Sequence, residues 1–176
     1  VLGREMTLDQ IIELRRRVPD DLELEAFVHG AMCMSYSGRC MISAYLTGRS
    51  ANRGACTQSC RWKYHLMEET RPGEYFPVEE DENGMTILSS FDMNCMDFLD
   101  RLMDAGVTSF KIEGRMKSPF YVATVTNAYR KRIDALLDGT ADDHQLALLQ
   151  RELNAASHRP YATGFYFGEM KRHAPD

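Results

Sequence analysis

The chain has 176 residues, is 44% hydrophobic and carries a formal net charge of −5 at pH 7. These values fit one globular domain or part of a larger one, and they exclude a disordered or fibrous chain and a protein that coats nucleic acid indiscriminately. No apolar run approaches the roughly 20 residues of a membrane span and no basic-then-apolar leader opens the chain, so we expect a cytoplasmic protein.

The first 30 residues predict one helix and one strand. Thr7 and Gln10 form a capping box, which predicts a helix that begins there and ends before Pro19. Residues 22–28 alternate between apolar and polar side chains, and this pattern predicts a strand that stops at Gly30.

The middle of the chain predicts little regular structure. Residues 31–62 are rich in cysteine and interrupted by glycine, so we expect an ordered insertion of short helices and loops. Residues 68–82 carry seven acids and predict a solvated hairpin or loop.

Strands and helices alternate in the second half. The predicted strands cover 86–88 and 109–112, and the predicted helices cover 94–104, 119–138 and 142–154. In the second of these helices the expected inward positions are Val122, Val125, Tyr129, Ile133 and Leu136.

This alternation predicts a parallel sheet with crossover helices. Polar side chains follow the apolar start at Val1 and Leu2 and each of the three predicted strands: Arg4 and Glu5, then His29, then Ser89, Ser90 and Asp92, then Glu113 and Arg115. Any strand has to end in polar residues, but four such ends in succession favour a shared cleft at the carboxyl edge of the sheet.

Four of the five cysteines lie within 28 residues, at 33, 40, 56 and 60, and the fifth is Cys95. An odd, clustered set does not fit a secreted disulfide scaffold. Four soft thiolates suit zinc or an iron-sulfur cluster, although the spacings are not those of common zinc knuckles. Unligated core cysteines and a catalytic pair of Cys33 with His29 are the alternatives.

A local basic patch offsets the acidic total. Between 111 and 132 the chain carries six cations against Glu113, namely Lys111, Arg115, Lys117, Arg130, Lys131 and Arg132. Phosphates could bind there, and Tyr36, Tyr45 and Trp62 could stack on an unpaired base. The alternatives are a wet helix face for residues 130–132 and core packing for the three rings.

Four blocks of the chain carry a resemblance to a known family. They run from Glu25 to Ser43, from Arg53 to Trp62, from Phe110 to Ser118 and from His158 to Phe165. The first block, EAFVHGAMCMSYSGRCMIS, is long and specific. Together they resemble the U-32 peptidase family, the collagenase-like proteases, and within it the subgroup of tRNA hydroxylation proteins.

The resemblance implies a fold and a cofactor. The family fold is a (β/α)8 TIM-like barrel, and the chain, which begins at Val1, resembles its carboxyl-terminal part without the first strands. Residues 1–140 would be barrel with the Cys-rich insertion 31–62, and residues 141–176 would lead towards a further domain. Relatives hold a 4Fe-4S cluster, for which the matching ligands are Cys33, Cys40, Cys56 and Cys60, with Cys95 as an alternative ligand.

The resemblance also implies a reaction, in which prephenate serves as co-substrate and the wobble uridine of tRNA becomes 5-hydroxyuridine. The candidate catalytic residues are Glu25, His29, Glu113 and Arg115, and the candidate substrate-binding residues are Lys111, Arg115 and Lys117. A U-32 peptidase and a zinc-stabilised RNA-binding module without chemistry of its own are the alternative functions.

Overall fold

The structure is a computed structural model that describes residues 1–33, 35–62, 65–67, 69–70, 72–73, 76–77 and 91–168. The chain divides into two compact units, residues 1–32 with 91–176 and residues 33–90. We call the first the sheet unit and the second the cysteine unit. The predicted strand at 86–88, Ser89, Ser90 and most acids of 68–82 lie outside the described residues.

The sheet unit has the predicted helices and two of the predicted strands in the predicted order, together with two strands that the sequence does not predict. Its helices are α1 (Leu8–Arg17), α3 (Leu99–Asp104), α4 (Pro119–Leu137) and α5 (Asp143–Asn154), and its strands are β1 (Glu25–Ala31), β4 (Asp92–Asn94), β5 (Ser109–Ile112) and β6 (Tyr161–Ala162). In the cysteine unit lie helix α2 (Ile42–Thr47) and the short strands β2 (His65–Leu66) and β3 (Phe76–Pro77). The fold class is therefore mixed α/β.

Several element boundaries are confirmed and two are corrected. The capping box of Thr7 and Gln10 opens α1, and β5 has the predicted bounds. The predicted stop of the first strand is wrong, because β1 continues through His29 and Gly30 to Ala31. The predicted helix 94–104 begins instead with β4 and a 3-10 turn at Met96–Phe98, and α3 follows.

The four strands of the sheet unit pair in the order β5-β1-β4-β6. β1 is parallel to β5 and β4 is parallel to β6, but β1 and β4 are antiparallel, so the predicted parallel sheet is confirmed only in part. The reason is a contact between residues distant in sequence: Met32 N donates to the carbonyl oxygen of Phe91 at 3.0 Å, so the chain leaves and re-enters the sheet unit at directly opposed positions. The returning strand must then run opposite to β1, as in a hairpin.

One continuous core fills the sheet unit. It is built from the helix-facing side chains of the strands and the inner faces of the helices, among them Ile11, Val28, Met93, Met96, Leu99, Leu102, Val125 and Leu153. In α4 the predicted inward residues Val125 and Tyr129 are buried, whereas Val122 is 42% exposed. Tyr121 takes the inward position in its place, because the buried stripe of α4 passes through 121, 125, 128 and 132.

Among the helices of the described residues, none is long and apolar enough to cross a membrane. The cytoplasmic location stays a prediction.

Gly30 permits the close approach of β1 and β5. Its φ is +100°, and a Cβ atom there would lie 2.2 Å from the carbonyl oxygen of Glu113. We expect Gly30→Ala to lower the free energy of unfolding by about 3 kcal/mol or more, because it combines a backbone clash with a left-handed alanine. Chemical denaturation measures the loss.

Gly139→Ala is the matched control. Gly139 also has a positive φ, +67°, but no atom lies within 4 Å of its ideal Cβ position. We expect a loss of only about 1–2 kcal/mol there. Equal losses at the two positions would show that Glu113 does not constrain Gly30.

Candidate functional site

A buried carboxylate organises the polar centre of the sheet unit. Asp92, the first residue of β4, has a side chain that is only 1% exposed. Its Oδ1 accepts from Nη2 of Arg159 at 3.1 Å and from Nε of Arg159 at 3.2 Å. Nζ of Lys117 lies 3.6 Å from Oδ2. Two cations therefore face one carboxylate, and these three groups together keep a positive charge.

His29 lies beside this ion cluster, held between two tyrosines. Its Nδ1 is 3.2 Å from the Tyr129 hydroxyl and its Nε2 is 3.4 Å from the Tyr161 hydroxyl. The Tyr129 hydroxyl gives its one proton to the carbonyl oxygen of Val28 at 2.8 Å, its shortest contact, so Nδ1 of His29 is the donor in this pair. Nε2 is then an acceptor that faces Tyr161.

Burial holds this network uncharged. It lowers the pKa of His29 to about 3, and the nearby carboxylate of Asp92 offsets only part of the shift. Burial also raises the pKa of Tyr129 and of Tyr161 well above the ordinary value. At neutral pH, His29 is therefore a neutral, oriented hydrogen-bonding group, and His158 stacks on the adjoining Tyr161 ring at 4.0 Å.

The other predicted site residues form two separate ion pairs. Glu113, after β5, binds Nη2 of Arg4 at 3.1 Å, so two of the predicted strand ends do meet. Glu25 begins β1, at the opposite end of that strand from His29, and binds Nζ of Lys111 at 3.2 Å. A hydrogen bond from Ser109, and then one from Lys111, lowers the pKa of Glu25.

Lys117 and Arg115 differ in their surroundings. Lys117 binds the carbonyl oxygen of Ser157 at 2.6 Å as well as Asp92. Arg115 is exposed. The catalytic and substrate-binding roles of these residues stay predictions.

Sequence reasoning missed the partners of His29 and Asp92. Tyr129 was predicted only as a core position of a helix, and Arg159 only as part of a family block. Both are more than 60 residues away in sequence from the group that they contact. The helical spacing of apolar residues predicts that the Tyr129 ring is buried, but it does not predict which group the hydroxyl of that ring contacts.

The second candidate site is the cysteine unit, where side-chain hydroxyls tie α2 to the loop between Cys56 and Cys60. Ser43, buried on α2, lies 3.0 Å from the Thr57 hydroxyl, which in turn lies 2.8 Å from that of Ser59. Asn52 receives a hydrogen bond from the amide of Cys40 at 3.0 Å and donates to its carbonyl oxygen at 3.2 Å. These bonds tie the backbone of Cys40 to Asn52 and α2 to the loop that carries Cys56 and Cys60.

Burial and nearby groups shift the pKa of two thiols of this unit. Burial raises the pKa of Cys60, Arg61 lowers it, and the thiols of Cys33, Cys56 and Cys40 raise it further. For Cys40, burial acts upward but hydrogen bonds from Ser43, Ser35 and Ile42 outweigh it, so its pKa is lowered.

A strained turn supplies a donor to one thiol. Gln58 is the one residue other than glycine with a positive φ in the described chain, at 56°. In this conformation its amide donates to Sγ of Cys56 at 3.3 Å. Strain of this kind persists only where surrounding contacts hold it, and here the hydroxyls of Thr57 and Ser59 flank it.

One buried donor of the cysteine unit is suited to a bound anion. Nε of Arg61 is buried and has no hydrogen-bond partner among the described residues, and its charge lowers the pKa of the neighbouring Cys60 thiol. An anion bound by the thiolates would give this orphaned donor an acceptor. Within the parts of the chain that the structure describes, no three His, Cys, Asp or Glu side chains converge around the position of a single metal ion.

Cys95, the predicted alternative ligand, belongs to the sheet unit. It is completely buried in the core, and burial raises the pKa of its thiol well above the ordinary value. Its amide donates to the Tyr129 hydroxyl at 3.0 Å. These surroundings are those of a packed core thiol.

Comparisons with known proteins find relatives along the whole chain. The sequence model of peptidase family U32 matches residues 1–175. The chain is 37% identical over its full length to "tRNA hydroxylation protein P" of Escherichia coli, of which it covers 46%. Over 98% of its length it is 45% identical to an uncharacterized protease of Methanocaldococcus jannaschii, of which it covers 42%.

A third relative is named for a different RNA. Over 81% of its length the chain is 44% identical to the "23S rRNA 5-hydroxycytidine C2501 synthase" of Escherichia coli, of which it covers 20%. The chain thus spans less than half the length of each of these three relatives. No solved structure matches it significantly.

Burial of neutral His29 makes stability depend on pH. The folded-state pKa of about 3 lies below the unfolded value of 6.5, so the contribution is complete above pH 6.5 and is lost as the pH falls towards 3. We expect the free energy of unfolding to fall by up to about 1.4 kcal/mol per pH unit in this window on account of His29 alone. Denaturation of the wild type and of His29→Gln at a series of pH values measures the difference in slope.

His144→Gln is the control for this pH dependence, because the His144 side chain on α5 meets solvent in the folded and unfolded chain alike. It should keep the wild-type slope. A His29→Gln variant whose slope equals that of the wild type would contradict a neutral, buried His29.

Proposed function

The chain belongs to peptidase family U32, and on that premise we propose that it is part of an iron-sulfur enzyme that hydroxylates RNA. The proposed substrate is the wobble uridine of tRNA, the proposed product is 5-hydroxyuridine, and the proposed co-substrate is prephenate. The observation that carries the proposal is the cysteine unit, where four thiols lie within 28 residues and the buried Nε of Arg61 has no hydrogen-bond partner among the described residues.

Two relatives support RNA hydroxylation as the reaction class. One is named for tRNA hydroxylation and the other for synthesis of 5-hydroxycytidine in 23S rRNA. The tRNA-named relative aligns with the entire chain, whereas the rRNA-named one aligns with 81% of it. This difference in coverage favours tRNA as the substrate.

Cys33, Cys40, Cys56 and Cys60 are the proposed ligands of a 4Fe-4S cluster. When bound, such a cluster supplies one-electron redox chemistry. The chain's own contribution is to hold the thiols in place through α2 and Asn52, and to offset negative charge through Arg61 and the Gln58 amide. Cys95 remains the alternative ligand to be tested.

The ion cluster at Asp92 is the proposed site for the co-substrate. Prephenate is an anion, and two cations against one buried carboxylate leave a positive charge that attracts it. Lys117 and the exposed Arg115 would contact its carboxylates, and Lys111 would do so only by leaving Glu25. The neutral His29 and its two tyrosines would present hydrogen bonds without adding charge.

The four-stranded sheet is proposed to be the carboxyl-terminal portion of a TIM-like barrel, with residues 1–140 in the barrel and 141–176 leading out of it. Two of the three strand pairs are parallel, which supports this architecture. The remaining strands and the remaining catalytic groups would come from the rest of a longer protein.

A peptidase is the second candidate function, because one relative is named a protease. It would need Cys33 as the nucleophile and His29 as its base. Both ring nitrogens of His29 already face tyrosine hydroxyls, and burial lowers its pKa to about 3. A base with so low a pKa takes up a proton poorly at neutral pH, so this function ranks below RNA hydroxylation.

Serine replacement tests the ligand set. We expect Cys33→Ser, Cys40→Ser, Cys56→Ser and Cys60→Ser each to lose most of the bound iron and its visible absorption, because a hydroxyl is a poor ligand for iron in such a cluster. Iron analysis and absorption spectra after anaerobic purification measure the loss.

Cys95→Ser is the matched control, and it should retain the cluster while losing some stability. If Cys95→Ser loses its iron and one of the other four variants retains it, Cys95 is a cluster ligand and the cysteine changed in that other variant is not.

Nucleoside analysis tests the reaction. We expect a strain that lacks the full-length gene to lose 5-hydroxyuridine and its derivatives from tRNA, as measured by mass spectrometry of digested tRNA. The intact gene should restore them and a Cys33→Ser gene should not. Unchanged 5-hydroxyuridine with a loss of 5-hydroxycytidine from rRNA would move the substrate to rRNA, and no change in either RNA would overturn the proposal.

A further inference from the structure

Residues 33–62 of the cysteine unit have a charge unlike that of the rest of the chain. This stretch contains four arginines, Arg39, Arg49, Arg53 and Arg61, and no aspartate or glutamate. The chain as a whole carries a net charge of −5. The basic character is therefore local, and it lies in the same 30 residues as the four clustered thiols.

The same stretch exposes three large aromatic rings. Tyr45 is 88% exposed, Tyr36 is 64% exposed and Trp62 is 48% exposed. The sequence left core packing open as an explanation for these rings, and the structure shows that explanation to be wrong. Exposed aromatic rings present flat apolar faces on which a base can stack.

The orientation of α2 determines the side of the helix on which Tyr45 lies. This residue lies on α2 two residues after Ser43, and positions two apart on a helix point to nearly opposite sides. Ser43 is buried and hydrogen-bonded to Thr57, so the inward face of α2 is fixed and Tyr45 faces outward. The backbone of Tyr45 is thereby fixed, and its side chain has only two torsions to order when a flat ligand stacks on it.

The arginines lie close in sequence to these rings, and two of them can bind a phosphate without breaking an existing contact to a described residue. Arg49 and Arg53 are exposed, and their guanidinium groups make no hydrogen bond or ion pair with any residue that the structure describes. The guanidinium carbon of Arg39 lies 5.9 Å from the centre of the Tyr36 ring. Alternating cations and flat rings are the combination that binds a phosphate backbone and its unstacked bases.

We propose that this surface, made of Tyr36, Tyr45, Trp62, Arg39, Arg49 and Arg53, binds the single-stranded part of the RNA substrate. Bases stack on the rings and phosphates pair with the arginines. The inference rests on the proposed function, since it assumes an RNA substrate, and it adds where that RNA binds. Single strands fit better than duplex, because bases in a duplex are already stacked and offer no open face.

Binding of an unstructured 15-nucleotide RNA, followed by fluorescence anisotropy, tests the surface. We expect Tyr45→Ala to weaken binding by roughly 5- to 150-fold, the range for loss of one stacked base, and Tyr45→Phe to keep near wild-type affinity. Phe120→Ala is the matched control, because Phe120 is 65% exposed on α4 of the sheet unit. It should bind like the wild type, and a hairpin duplex should bind more weakly than the single strand.

Salt dependence tests the phosphate contacts. We expect Arg49→Gln or Arg53→Gln to reduce the slope of log affinity against log salt by about 0.7 each. Arg16→Gln, on the exposed face of α1, should leave the slope unchanged.

The proposed RNA-binding role is wrong if the wild type does not bind the single strand, or if Tyr45→Ala binds it with wild-type affinity. It is also wrong if Tyr45→Ala changes the oligomeric state of the protein without changing its affinity for RNA. The last result would assign the rings to a protein interface. These outcomes are distinct from failure of the proposed function, which is read from the nucleosides of the gene-deletion strain whatever the binding data show.

Discussion

The sheet unit depends on one buried charge. A carboxylate that is 1% exposed, as in Asp92, is costly to remove from water unless cations and hydrogen bonds replace the solvent. Here Arg159 and Lys117 do so, and they come from the segment before β6 and the segment before α4. The charge therefore fixes three separate parts of the chain at the point where it re-enters the sheet unit after residues 33–90.

Burial, and not the Asp92 charge, keeps His29 neutral, because burial lowers the pKa of His29 by more than the Asp92 carboxylate raises it. The residue sits next to a cluster that already holds two cations, and it is surrounded by tyrosine rings. A protonated imidazole would add a third cation in a site that is buried from solvent, so burial keeps it neutral. If the site binds an anionic co-substrate, the positive charge comes from Lys117 and Arg159, and His29 serves to orient hydrogen bonds.

The sequence predicts elements that are encoded within a few neighbouring residues. It does not predict contacts between residues that are distant in sequence. The capping box at Thr7 and the apolar strand ending at Ile112 are encoded within a few residues, and both are confirmed. The antiparallel pairing of β1 with β4 depends on where residue 32 meets residue 91, which no pattern within either strand records. The spacing of the cysteines indicated a shared site, but the Ser43, Thr57 and Ser59 hydroxyls that frame it look like ordinary loop residues in sequence.

The account depends most on what the four thiols bind, and metal analysis of the wild-type protein purified without oxygen tests this most directly. The proposed cluster predicts about four iron and four acid-labile sulfide per chain, with a broad visible absorption that disappears on oxidation. A colourless protein that carries one zinc per chain and no sulfide would contradict the account, and it would favour a zinc-stabilised RNA-binding module in its place.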